Sequence, residues 1–97
     1  MDYGCDDYSE ETLQQIEEYA GLFYELDKIA IIMELEHSTL KDSFESEGII
    51  YKRYMKGFLI AECAIRKSII EHAKSGSSPA QQMALKLMLG AETLDSI

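Results

Sequence analysis

Apolar residues recur at helical spacing along most of the chain, and short polar breaks divide this pattern into five segments. The most informative stretch is residues 27–44, DKIAIIMELEHSTLKDSF, where apolar positions lie on both sides of a polar break at residues 36–38. This spacing predicts two short helices joined by a tight turn. That outline is a helix-turn-helix, a shape that usually places its second helix in the major groove of DNA.

Capping residues and helix breakers set the ends of the predicted helices. Ser9 is a good N-cap for the first helix, and Ser38 or Thr39 for the third. Gly48 is expected to take a left-handed conformation after the third helix, and Gly76 to end the fourth. The predicted helices cover residues 9–23, 26–35, 38–46 and 49–74, and a fifth starts with Pro79 in its first position.

The predicted fold is all-α, with a tri-helical helix-turn-helix head followed by a long antiparallel helical hairpin. Residues 1–8 are predicted to be an acidic flexible tail, residues 9–48 the head, and residues 49–97 the hairpin. The fourth helix is apolar over much of its circumference, so a second copy of the chain is the natural cover for one face. A fully packed monomer is the alternative. The residues predicted to form the oligomer interface are Met55, Leu59, Cys63 and Ile70.

Length and composition fit one small, helix-rich domain. The chain has 97 residues, of which 46% are apolar, and a single proline. No apolar run reaches the roughly 18 residues that cross a bilayer, and the acidic N-terminus lacks the layout of a signal peptide. Cys5 and Cys63 lie far apart, so two free thiols in a reducing cytosol are expected rather than a disulfide.

Charge is distributed unevenly along the chain. Residues 1–48 carry fourteen acidic side chains against two lysines, a net charge of −12, whereas residues 49–97 carry four acidic against seven basic side chains, a net charge of +3. Such polarity suggests a directed contact, either head-to-tail between copies or with a partner of opposite sign. A solvated acidic face that only keeps the protein soluble is the alternative.

Residues suited to catalysis or to metal binding are few. His37 and His72 have no histidine or cysteine at ligand spacing, so no metal site is predicted. Neighbouring acidic pairs such as Glu17 and Glu18 point in different directions on a helix and do not make an acid–base pair. No glycine or serine stands in a phosphate-binding or nucleophile motif. We therefore expect no enzymatic activity and no cofactor.

Several segments of residues 25–90 together resemble one family. A helix-turn-helix containing Ser38-Thr39-Leu40 is followed by AIRKSIIEHAKSGSS at residues 64–78 and by PAQQMALKLM at residues 79–88. This arrangement is similar to the small terminase subunits of tailed phages. The chain departs from the usual pattern at Glu34, because such turns usually have a small residue or glycine at that position.

The resemblance implies a function in DNA packaging. Small terminase subunits assemble as a homo-oligomer, often a ring, which recognises viral double-stranded DNA and delivers it to the large terminase subunit, an ATPase and nuclease. It also implies that the chain works in the cytoplasm of an infected bacterial host. Two other functions stay open: a helix-turn-helix-derived adaptor that binds a basic protein partner and no DNA, and a transcriptional regulator.

Acidity decides where DNA contacts are expected. The third helix offers Lys41 but also Asp42, Glu45 and Glu47 just beyond its end, and DNA affinity depends mainly on neutralised phosphates. The start of the fourth helix is more basic. The residues predicted to contact DNA are Lys52, Arg53 and Lys56, with Thr39 and Lys41 from the third helix. Alternatively, the basic residues keep the fourth helix soluble or pair with the acidic half of a neighbouring copy.

Overall fold

The computed structural model describes residues 8–95, with side chains described as far as residue 90. Five α-helices and no strands make up the described part, so the predicted all-α class is confirmed. The predicted tail lies outside the described residues except for Tyr8. The helices are α1 (Glu10–Gly21), α2 (Leu26–Met33), α3 (His37–Glu45), α4 (Ile49–Lys74) and α5 (Ser78–Asp95).

The chain divides into two units within α4. The N-terminal unit is Met1–Glu62 and the C-terminal unit is Cys63–Ile97. Sequence analysis places the boundary earlier, at the start of α4. A helix that runs through both units gives no local signal of a boundary, because the helical spacing of its apolar residues continues without a break.

The N-terminal unit has a core built from four helices. Apolar side chains at the predicted helical spacing turn inward and leave at most 6% of their surface exposed. Half-buried aromatic residues, including Phe44 and Tyr54, pack against this cluster. The buried residues are Leu13, Ile16 and Ala20 from α1, Ile29 and Ala30 from α2, Leu40 from α3 and Ile50 from α4.

The predicted ends of the helices are partly right. The Ser9 side chain accepts a hydrogen bond from the backbone N–H of Thr12 at 3.1 Å, which confirms the cap of α1. Gly76 has a φ of 103° after α4, as expected. The prediction for Gly48 is wrong, because Glu47 takes the left-handed conformation, with a φ of 58°. The first helix also ends earlier than predicted, and Phe23, with a φ of 68°, lies in the loop after it.

The turn between α2 and α3 spans residues 34–36. It joins a helix of 8 residues to one of 9, and its first residue, Glu34, is left-handed with φ 56° and ψ 43°. The backbone N–H of Leu35 donates to the carbonyl of Ala30 at 2.9 Å and closes the end of α2. Neither Ser38 nor Thr39 caps α3, contrary to prediction: the N-cap is Glu36, whose carboxylate accepts a hydrogen bond from Thr39 Oγ1 at 2.8 Å.

The C-terminal unit contains the second part of α4 and α5. The Gln81 side-chain amide donates to the carbonyl of Ala73 at 3.1 Å, next to the turn at Gly76. No side chain of residues 63–90 is fully buried. Ala80, Ala84 and Leu87 of α5 are half-buried. The antiparallel arrangement of the hairpin stays a prediction.

Candidate nucleic-acid and assembly surfaces

Arg53 forms a cluster of ion pairs with two carboxylates of α1. Its Nη1 and Nη2 donate to Glu10 Oε1 and Oε2 at 3.0 and 2.7 Å, and its Nε donates to Glu17 Oε2. The planar guanidinium group suits the two-point contact with the Glu10 carboxylate. The Arg53 side chain is only 15% exposed. Most of its donors therefore face protein carboxylates and not solvent.

The hydrogen bonds of the cluster shift the pKa values of Glu10 and Arg53 in the directions that favour their charged forms. Hydrogen bonding from Arg53 lowers the pKa of Glu10 below its usual value of 4.5. Hydrogen bonds to Glu10 and then to Glu17 raise the pKa of Arg53. Lys56 adds a looser contact, with its Nζ 3.7 Å from Glu17 Oε2. The ion pairs of Arg53 with Glu10 and Glu17 thus hold α1 against α4 electrostatically.

The five residues predicted to contact DNA are not equivalent in the structure. Lys41 and Lys52 are exposed, and the structure gives neither an ion pair within residues 8–90. Lys56 is exposed but lies near Glu17. The hydroxyl of Thr39 is directed to Glu36, and Arg53 is held by α1. DNA contact through these residues stays a prediction, and Lys41 and Lys52 are the members best placed for it.

Glycine allows α1 and α4 to approach closely beside this cluster. A Cβ added to Gly57 would overlap the backbone of Glu17, whereas one added to Gly21 would stand 3.4 Å from the carbonyl oxygen of Gly57, an ordinary contact. The approach leaves an open groove of about 410 Å³ on the surface of the N-terminal unit. We call it the acidic groove; its residues are Glu17, Glu18, Gly21, Leu22, Gly57, Ile60 and Ala61.

A second shallow groove follows the C-terminal part of α4. It has a volume of about 340 Å³ and is formed by residues on one side of the helix. We call it the basic face; its residues are Cys63, Arg66, Lys67, Ile70, Glu71 and Lys74. Two residues of the predicted oligomer interface, Cys63 and Ile70, belong to it. Of the other two, Leu59 is 50% exposed and Met55 is half-buried, and their part in an interface stays a prediction.

Sequence analysis did not predict that Glu10 and Glu17 pair with Arg53, nor that Gly57 lies at a close helix contact. The spacing of Glu10 and Glu17 was an available signal, because positions seven residues apart lie on the same side of a helix. Arg53 could have been identified as their partner only if the packing of α1 on α4 had been known. A glycine inside a predicted helix costs stability unless the space is needed, and Gly57 was the corresponding signal for a close helix contact.

Some kinds of site are absent from the described part of the chain. Among the described side chains, those of residues 8–90, no group of three or more histidines, cysteines, aspartates or glutamates is able to hold a metal ion. None of the described helices combines the length and apolarity needed to cross a bilayer.

The raised pKa of Tyr54 results from burial, and its hydroxyl donates to the carbonyl of Tyr24 at 2.8 Å, a structural contact.

Comparison with known proteins gives no relative for this chain. No protein-family model, no curated protein and no solved structure matches it.

Proposed function

We propose that this chain is a non-enzymatic DNA-packaging subunit of the small-terminase type, which recognises DNA and recruits the large terminase motor. The observation that carries the proposal is the α2–turn–α3 unit. Its helices of 8 and 9 residues, joined by three residues of which the first is left-handed, have the dimensions of a helix-turn-helix. The sequence resemblance of residues 25–90 supports the same assignment. We propose that the subunit acts as a homo-oligomer in the cytoplasm of an infected bacterium.

DNA contact in this proposal depends on Lys41 of α3 and Lys52 of α4. Both lysines are exposed, whereas the Arg53 guanidinium is occupied by Glu10 and Glu17. Each phosphate neutralised changes the slope of log K against log salt by about −0.9. Two lysines per subunit therefore give a slope of about −2 per bound subunit, a weak interaction that assembly into an oligomer would strengthen.

A fluorescence anisotropy titration of a labelled duplex tests DNA binding. At about 50 mM salt, where phosphate contacts are strong, we expect saturable binding that weakens at least threefold in Lys41→Ala and in Lys52→Ala. Lys28→Ala is the matched control, because Lys28 is an exposed lysine of α2 whose Nζ lies 3.6 Å from Asp27 Oδ2 and is therefore already paired with a carboxylate. Equal loss in all three variants would point to non-specific charge, and no binding by the unmodified chain would refute DNA recognition.

The second candidate function is a helix-turn-helix-derived adaptor without DNA binding. It is favoured by the Arg53 cluster, because α1 carboxylates occupy the one arginine on the part of α4 that lies in the N-terminal unit. The head then presents a mainly acidic surface that suits a basic protein partner. Absence of duplex binding at about 50 mM salt, together with binding to a basic protein, would favour this function over packaging.

A further inference from the structure

The acidic groove is an exposed apolar surface with a negatively charged edge. Leu22 and Ile60 on its two sides are 66% and 59% exposed. Glu18 at its edge is exposed and has no ion pair within residues 8–90. Exposed apolar side chains that cluster beside an unpaired charge are typical of an interaction surface.

The basic face offers the complementary chemistry. Cys63 and Ile70 form its apolar part, and Lys67 and Lys74 stand beside them on the same side of α4. The structure gives these two lysines no ion pair within residues 8–90. Residues 63–90 as a whole carry four basic side chains and one acidic side chain, a net charge of +3.

We propose that the basic face of one copy of this chain binds the acidic groove of a second copy. The contact pairs Lys67 and Lys74 with Glu18 and covers Ile70 with Leu22 and Ile60. It deepens the proposed function, since it rests on the homo-oligomer stated there, but it does not depend on DNA binding.

Charge disfavours the symmetric ways of pairing two copies. If the basic face met its own equivalent, Lys67 and Lys74 would face the same lysines, with only Glu71 of each copy to offset them, and two acidic grooves would bring the unpaired Glu18 of each copy together. Like charges brought together across an interface cost several kcal/mol. Pairing groove with basic face is therefore favoured. Because it uses different surfaces on the two copies, it continues from copy to copy until a ring closes or a filament grows.

The test exchanges charges across the proposed contact. Light scattering after size-exclusion chromatography should give the unmodified chain a mass that is a multiple of 11.0 kDa and that falls as salt rises. Glu18→Lys and Lys67→Glu should each weaken assembly at least tenfold, towards 11.0 kDa. An equimolar mixture of the two variants should restore the mass, because every groove then has a face of opposite charge. Lys28→Glu, on α2, is the charge-matched control and should leave the mass unchanged.

Several outcomes would overturn the proposal. A mass of 11.0 kDa for the unmodified chain at all concentrations would show that no assembly occurs. Single variants that assemble normally, or a mixture that fails to recover while far-UV circular dichroism shows both variants folded, would exclude the groove-to-face contact. Stronger assembly of Lys67→Glu would indicate a symmetric contact. Duplex binding by a chain that stays monomeric would refute this inference alone, and assembly without duplex binding would refute the proposed DNA recognition alone.

Discussion

The two units of the molecule contain similar proportions of apolar residues and use them differently. Apolar side chains make up about half of residues 8–62 and of residues 63–90. The first range buries seven of them almost completely, whereas no side chain of the second is fully buried. The four helices of the N-terminal unit cover one another. Helical spacing therefore predicts where a helix lies, but the number of neighbouring helices decides whether its apolar side is covered.

Truncation of one isoleucine in each unit should give the largest difference in stability between the two units. Ile16 is fully buried and Ile65 is 46% exposed. Loss of a buried branched side chain leaves a cavity, so we expect Ile16→Ala to lower the free energy of unfolding by about 4 kcal/mol. Ile65→Ala should lower it by less than about 1 kcal/mol. Urea denaturation followed by circular dichroism measures both, and equal losses would contradict the difference between the units.

A methyl group added to a helix glycine should give the second-largest difference in stability between the two units. Gly57→Ala places a Cβ against the backbone of Glu17, which a rotamer change cannot relieve, so we expect a loss of about 3 kcal/mol. Gly90→Ala in α5 meets nothing within 4 Å and should raise helix stability by up to about 1 kcal/mol. Thermal unfolding of both variants checks the prediction, and a Gly57→Ala protein as stable as the unmodified chain would disprove the close contact of α1 with α4.

The smallest expected effect is the loss of stability at acid pH that depends on the contact between Arg53 and Glu10. The folded state lowers the pKa of Glu10 below 4.5, its unfolded value, so the unfolded state binds the proton first. This contribution is present above pH 4.5 and is lost as the pH falls through the lower pKa of the folded state. Arg53→Met, which removes the cause of the shift, should lose less stability between pH 5 and about 3 than the unmodified chain.

The control for the acid titration is Lys86→Met in α5, outside both surfaces of the proposed contact. The structure gives Lys86 no ion pair within residues 8–90, so this variant should keep the acid dependence of the unmodified chain. Urea midpoints at pH 7, 5, 4 and 3 would compare the three proteins. Parallel curves for all three would show that Arg53 does not hold the folded pKa of Glu10 down.

The sequence predicts local features of the fold well. Apolar spacing and breakers place both ends of α1 to α4 within about two residues and the start of α5 within about one, and the caps at Ser9 and Gly76 follow from their chemistry. The left-handed positions are harder to predict, because Glu34 and Glu47 adopt a conformation that favours glycine. Their neighbours in the folded chain stabilise that conformation, and a single-residue preference contains no such information.

The candidate surfaces are less predictable because they depend on packing between helices. Arg53 looks like one more cation on a basic helix until α1 brings Glu10 and Glu17 to it. The sequence places these acids and Arg53 about 40 residues apart. The exposure of Lys41 and Lys52 is easier to predict, since a lysine needs no partner to stay in solvent. Residue type thus suggests which side chains can bind a phosphate, and tertiary contacts decide which are free to do so.

Gly57 also offers a way to sort related sequences. A relative with a side chain at the equivalent position has no room for the backbone of its first helix at the place where Glu17 lies here. Its first helix must then lie elsewhere, and the acids equivalent to Glu10 and Glu17 lose their contact with arginine. Glycine at this position should therefore occur together with arginine four residues before it and glutamates at both α1 positions. A set of homologous sequences in which the four residues vary independently would show that this helix contact is particular to the present chain.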